Sequence, residues 1–124
     1  TEHIATHDAL TGLPNRLLLY DRLDQAIAYA HRDNHAVGVI FVDLDQFKPV
    51  NDSLGHAVGD GLIRMAADRI RQTAGPLDTV ARVGGDEFVV ISPGGSSDEL
   101  IQLTEDLVSG FRQEFVNVHG FLVC

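Results

Sequence analysis

Asp86 and Glu87 stand side by side directly after Gly84-Gly85, between two runs rich in β-branched residues, Thr79–Val83 and Phe88–Ile91. That pattern predicts a hairpin with a tight turn at the glycines, where glycine accepts positive φ and lets another group approach the backbone. Adjacent acids at a rigid tip repel each other, and a bound cation would remove the repulsion. A polar turn whose acids face solvent accounts for the hairpin alone equally well. Asp43-Leu44-Asp45 decides between the two, because Asp43 closes the apolar run Val37–Val42. An aspartate at the end of a buried strand is costly unless it is paired, hydrogen-bonded or holding a metal. If strand and hairpin are neighbours in one sheet, Asp43 and Asp86 converge on one point. Oxygen-only ligands from two elements suit Mg²⁺, which keeps its other positions for water and phosphate oxygens. The implied chemistry is that of phosphates.

The elements that must carry these residues follow from periodicity and turn signals. Asp8 to Asn15 reads as a turn-rich entry, with Asn15 as N-cap of a helix over Arg16–Arg32 whose inner face carries Leu19, Leu23, Ile27 and Ala30. Asp33 to His35 is a loop, and a central strand buried on both faces runs from about Ala36 to Asp43. A short helical piece broken by Pro49 and a loop through Gly55 precede a helix over about Val58–Thr73, with Leu62, Ala66 and Ile70 inward. Gly75-Pro76 ends that helix, and the hairpin follows. Pro93-Gly94-Gly95 is a turn. Ser96 with Glu99 makes a capping box for a helix to about Gln113, and Phe115 to Val123 alternates as a strand. Helices interleaved with a mixed sheet predict an α/β fold.

Composition narrows the setting. A chain of 124 residues can bury one core. Its apolar share is 44%, its mean hydropathy is near zero, and its longest apolar run is far short of a membrane span. The sequence opens with no charged segment leading into an apolar stretch, as a secretory leader would, and Thr1 to Thr6 read as continuing from something upstream. The net charge of −9 argues against DNA, RNA or anionic-membrane binding. Cys124 is the only cysteine, which leaves no internal disulfide and fits a reducing cytoplasm. The single lysine is Lys48. Asp43-x-Asp45 is not an EF-hand, since Phe47 takes a ligand position, and no Gly-x-x-x-x-Gly-Lys, Gly-x-Gly-x-x-Gly or Gly-x-Ser-x-Gly pattern occurs.

Three blocks carry a family resemblance. Gly84-Gly85-Asp86-Glu87-Phe88 spells the signature of the GGDEF family, the diguanylate cyclases, which join two GTP into cyclic di-GMP. Asp43-Leu44-Asp45-Gln46-Phe47-Lys48 with Asn51-Asp52-Ser53-Leu54-Gly55-His56-Ala57-Val58-Gly59-Asp60 resembles the family's nucleotide-binding run, and Asp8-Ala9-Leu10-Thr11-Gly12-Leu13-Pro14-Asn15-Arg16 its opening. The resemblance implies a palm-like, ferredoxin- and adenylate-cyclase-related α/β domain over residues 1–124, with the family's last strand, helix and strand not reached by Cys124.

It also implies roles. Asp43, Asp86, the carbonyl of Leu44 and Glu87 match the positions that hold two Mg²⁺, with Mn²⁺ as a substitute, and Asp86 matches the general base for the ribose 3′-hydroxyl. Asn51 and Asp60 match the guanine readers; a turn cap at Asn51 and a helix start at Asp60 explain these two without a nucleotide. His56 matches a substrate contact, Lys48 a position that steadies transition-state charge, and the amides of Gln46 and Phe47 a phosphate cradle. Where the family's inhibitory site has Arg-x-x-Asp, this chain has Gly75-Pro76-Leu77-Asp78, and glycine offers no guanidinium for bidentate contacts. The implied partners are GTP, a second copy in a catalytic homodimer, and covalently attached sensor or phosphodiesterase domains, the whole facing the cytoplasm, in some parents from a membrane-bound protein. A catalytically inactive GTP-binding regulatory module and a plain dimerisation platform are the alternatives; the intact acids argue against the latter.

Overall fold

The computed structural model describes residues 6–44, 52–94, 96–111 and 116–123. Its elements are α1 (Arg16–Asp33), β1 (Val37–Leu44), α2 (His56–Thr73), β2 (Thr79–Arg82), β3 (Glu87–Pro93), α3 (Ser97–Ser109) and β4 (Val116–Val123). The strands form one sheet in the order β2-β3-β1-β4, and every pairing in it is antiparallel. From β1 onward the chain is a β-α-β-β-α-β unit of ferredoxin-like type, with α1 added in front. The α/β fold flanked by helices is as expected. The sheet is not mixed, however: each helical crossover skips one strand position, so all neighbours in the described sheet run in opposite directions.

Period-2 alternation sorts the strand residues between two layers. Ile40, Val42, Val80, Phe88 and Val90 face Ile63, Ala66, Ala67 and Ile70 of α2 and Leu107 of α3. Val37, Val39, Ala81, Val89 and Ile91 face Leu19 and Ala30 of α1, with Leu23 and Ile27 packed beside them. Phe88 is fully buried beneath the hairpin, and truncating such a residue to alanine costs about 3–5 kcal/mol. β1 is central, yet Phe41 is 47% exposed. α1 lies mainly against β2, with less contact to β1 and β3, and Phe41 meets Phe121 of β4 edge-to-face at 5.9 Å.

Local signals set most boundaries. Asn15 caps α1, its side-chain oxygen accepting from the Leu18 N–H at 3.1 Å, and Asn34 ends the helix in the left-handed region. Ser96 accepts from the Glu99 N–H at 3.2 Å. α2 begins at His56 rather than Val58, after Gly55 at φ 91°, and Asp52–Leu54 already form a helical turn. Ala66 and Ile70 are buried as expected, but Ile63 takes the inward place expected of Leu62, which is 37% exposed; the buried set is spaced by three and four from Gly59. α3 ends at Ser109, with the Gly110 N–H bonded to the Asp106 carbonyl. The expected helical piece at Pro49 lies outside the described residues.

Candidate active site

β1 and β3 are direct neighbours, and their register ends with Asp43 opposite Glu87. Beyond it, the Leu44 N–H donates to the Asp86 carbonyl at 3.0 Å, tying the end of β1 to the hairpin loop. As a result, carboxylate oxygens of Asp43, Asp86 and Glu87 all lie within 4.8 Å of one another. Asp43 and Asp86 are half-buried and Glu87 is exposed. Three carboxylates from two adjacent elements, with an open side, form a hard-oxygen donor set suited to a divalent cation that also takes water or phosphate. The convergence of Asp43 and Asp86 expected from the sequence is therefore realised, and Leu44 stands at the same strand end.

The loop between β2 and β3 owes its shape to arginines. Arg82 Nε donates to the Gly84 carbonyl at 3.1 Å and to that of Gly85 at 3.2 Å, and Nη2 reaches the Gly85 carbonyl at 2.8 Å. Its Nη1 lies 3.1 Å from Asp8 Oδ1, and its own N–H donates to the Pro14 carbonyl at 3.1 Å. Arg16 Nη2 donates to the Val83 carbonyl at 2.7 Å. Asp8 in turn accepts from the Thr11 N–H at 2.9 Å and hydroxyl at 2.8 Å. Burial alone would push the Asp8 carboxyl up; the Thr11 bonds, the Arg82 bond and the guanidinium charge outweigh it and hold the group below its ordinary value.

Neither Gly84 nor Gly85 has positive φ, so the turn does not use glycine for the reason expected. The arginine bonds draw the loop round with ordinary backbone angles. Close approach does hold at Gly84, where an added Cβ would stand 3.1 Å from Glu87 Oε2.

The remaining expected residues divide. His56 opens α2 and is exposed. Asp60 is half-buried within the first turns of α2 rather than at its start, so a helix-opening role does not explain it. Asp78 accepts from the Gly75 N–H at 2.8 Å, which ties its carboxylate into its own turn. Gln46, Phe47, Lys48 and Asn51 lie outside the described residues. Sequence reasoning gave no role to Arg16, Arg82 or Asp8, although Asp8 and Arg16 begin and end one of the three blocks it singled out and Arg82 stands two residues before another.

The sequence profile described as "Diguanylate cyclase, GGDEF domain" matches residues 5–119. A curated relative, the bifunctional diguanylate cyclase/cyclic di-GMP phosphodiesterase MucR of Pseudomonas aeruginosa, is 48% identical over 90% of this chain. The chain spans 16% of that relative's length. Among solved structures, the GGDEF domain of TpbB from Pseudomonas aeruginosa superposes with a TM-score of 0.83 at 33% identity, covering 94% of this chain and 73% of that one. The GGDEF domain of DgcB from Caulobacter crescentus, solved in complex with c-di-GMP, does so with a TM-score of 0.83 at 32% identity, covering 95% and 76%.

Proposed function

The chain belongs to the GGDEF family of diguanylate cyclase domains, and on that premise we propose that it condenses two GTP molecules into cyclic di-GMP. The observation that carries this reading is the meeting of Asp43, Asp86 and Glu87 within 4.8 Å. These acids, with the Leu44 carbonyl, would hold two Mg²⁺, and Mn²⁺ could replace them. When bound, such ions lower the pKa of a ribose hydroxyl and neutralise phosphate charge.

The residues of this chain then divide the work. Asp86 accepts the proton of the 3′-hydroxyl as that oxygen bonds to the α-phosphorus of the other GTP. The bond from that phosphorus to its bridging oxygen breaks, and pyrophosphate leaves. A second transfer in the opposite sense closes the ring, which is why two copies, each holding one GTP, are required. Asp60 and Asn51 read the guanine edge: a carboxylate accepts from N1–H and the exocyclic amine, and an amide completes the pattern. His56, Lys48 and the amides of Gln46 and Phe47 contact the nucleotide. The coverage of a bifunctional relative supports a place in a longer cytoplasm-facing protein with sensor or phosphodiesterase domains.

A GTP-binding regulatory module without turnover is the second reading, favoured by Asp78, whose carboxylate is occupied by Gly75. Incubation with GTP and Mg²⁺, with products resolved by chromatography and mass, separates the two. Cyclic di-GMP from the wild type and none from Asp86→Asn is the expected result. GTP binding without product, in this chain and in a version extended past Cys124, would move the assignment to the module.

A further inference from the structure

Three consecutive carbonyls of the hairpin loop, those of Val83, Gly84 and Gly85, each accept from a guanidinium. The donors come from two separate elements. Arg16 is the first residue of α1, and Arg82 is the last of β2. Both line one open concavity of about 480 Å³ on the loop, together with Asp8, Asn15 and Val83. We infer that Arg16 and Arg82 are positioning residues, a two-arginine clamp on the loop carbonyls that fixes where Asp86 and Glu87 present their carboxylates to Asp43.

The loop needs such a clamp. Two glycines in succession lose more backbone freedom on ordering than any other pair, and the β2–β3 ladder ends at Arg82 and Phe88. Apart from the Leu44 N–H on the Asp86 carbonyl, the main-chain bonds of the loop among the described residues are those of the Val83 and Gly84 N–H groups, both directed at the Glu87 carbonyl, at 3.0 and 3.4 Å. Peptide groups are planar, so fixing a carbonyl direction fixes the plane and the path to the next Cα. Holding the carbonyls of Val83, Gly84 and Gly85 therefore fixes the approach of the chain to Asp86. Bonds from a charged donor are stronger than neutral ones, and the planar fork of arginine serves two adjacent carbonyls at once, which the point-like ammonium of lysine cannot do.

The clamp extends to Arg82's other side, where Asp8 takes Nη1. Among the described residues Arg16 has no such second anchor, and it is exposed at the Val83 contact. Removing Arg16 thus loosens the loop without stranding a half-buried carboxylate, whereas removing Arg82 does both.

The test uses Arg16→Gln, Arg16→Lys and Arg82→Lys in the whole chain. One readout is ¹⁵N relaxation of the Gly84, Gly85 and Asp86 amides without metal. The other is Mn²⁺ affinity by electron paramagnetic resonance, which alone rests on the acids being a metal site. Arg16→Gln should broaden the loop amides and weaken Mn²⁺ binding by roughly 10-fold, as loss of a ligand-orienting partner does. Its thermal midpoint should match the wild type; Arg16→Lys, which keeps one donor for the single Val83 carbonyl, should retain part of the affinity, and Arg82→Lys, which loses the fork on the Gly84 and Gly85 carbonyls, should lose more. Loop amides as sharp in Arg16→Gln as in the wild type would overturn the clamp. Amides that broaden in a protein whose wild type binds no Mn²⁺ would sustain the clamp and sink the metal reading.

Discussion

Asp43 and Glu87 are direct partners across the β1–β3 ladder, two acids facing each other at the last register position of a pair whose other members are largely apolar. Like charges directly opposite on a sheet destabilise it. Asp86 adds a third carboxylate at the same spot. Three carboxylates this close repel one another, and a cation between them would relieve that repulsion.

Replacing Asp43 by asparagine should therefore have opposite effects in two buffers. With a chelator present, Asp43→Asn should stabilise the chain by roughly 0.2–1 kcal/mol, the size of a cross-strand pair. With saturating Mg²⁺ the wild type should gain stability that the variant does not. Thermal unfolding in both buffers measures this, and a variant less stable than the wild type under both conditions would sink the idea.

A second prediction concerns Asp8 and pH. Its pKa is held below the ordinary carboxylate value. A depressed pKa stabilises the fold fully above the unfolded value, and that contribution disappears as pH falls through the folded value. Near neutral pH, Asp8→Asn should cost about 1–3 kcal/mol, as loss of hydrogen bonds to a charged group does. The gap between wild type and variant should narrow as pH drops below the ordinary carboxylate range. Urea titrations at a series of acidic pH values give the curve, and a gap that stays constant across it would show that the Asp8 charge is not what stabilises the entry.

The third prediction addresses feedback. The family resemblance puts an arginine at the position of Gly75, and Asp78 is engaged by the Gly75 N–H. The chain should show weak or no cyclic di-GMP binding at this turn. Gly75 has no positive φ, and a Cβ there would meet Asp78 Oδ2 at 3.4 Å, ordinary contact. Gly75→Arg should fold normally and raise product affinity at least about tenfold, given the strength of bidentate guanidinium contacts. Calorimetric titration with cyclic di-GMP checks both statements. Tight binding by the wild type that is lost in Asp78→Ala would overturn the first.

Most of the fold was legible because its signals are local. Asn15 and Ser96 announce helix starts through cap chemistry, and the alternation of Phe88 to Ile91 announces a two-sided strand. The acid pair was legible because a charge at the end of an apolar run is costly in any fold that buries the run. Three things were hidden. The exposure of Phe41 depends on how far α1 extends over the sheet, which no period encodes. Which of the adjacent apolar residues Leu62 and Ile63 turns inward depends on how α2 seats on the sheet, which the period alone does not decide. The arginine bonds join Arg16 to Val83 and Arg82 to Asp8 across 67 and 74 positions, and a contact at that separation leaves no pattern in the sequence.

The two glycines of the hairpin answer to different constraints on variation. An alanine at Gly84 would crowd a Glu87 carboxylate oxygen at 3.1 Å, so drift at that position disturbs an acid of the site. At Gly85 an added methyl meets nothing within 4 Å among the described residues beyond its chain neighbours, and φ there lies outside the left-handed region. A side chain is therefore better tolerated at the second glycine than at the first, where it would press on an acid of the site.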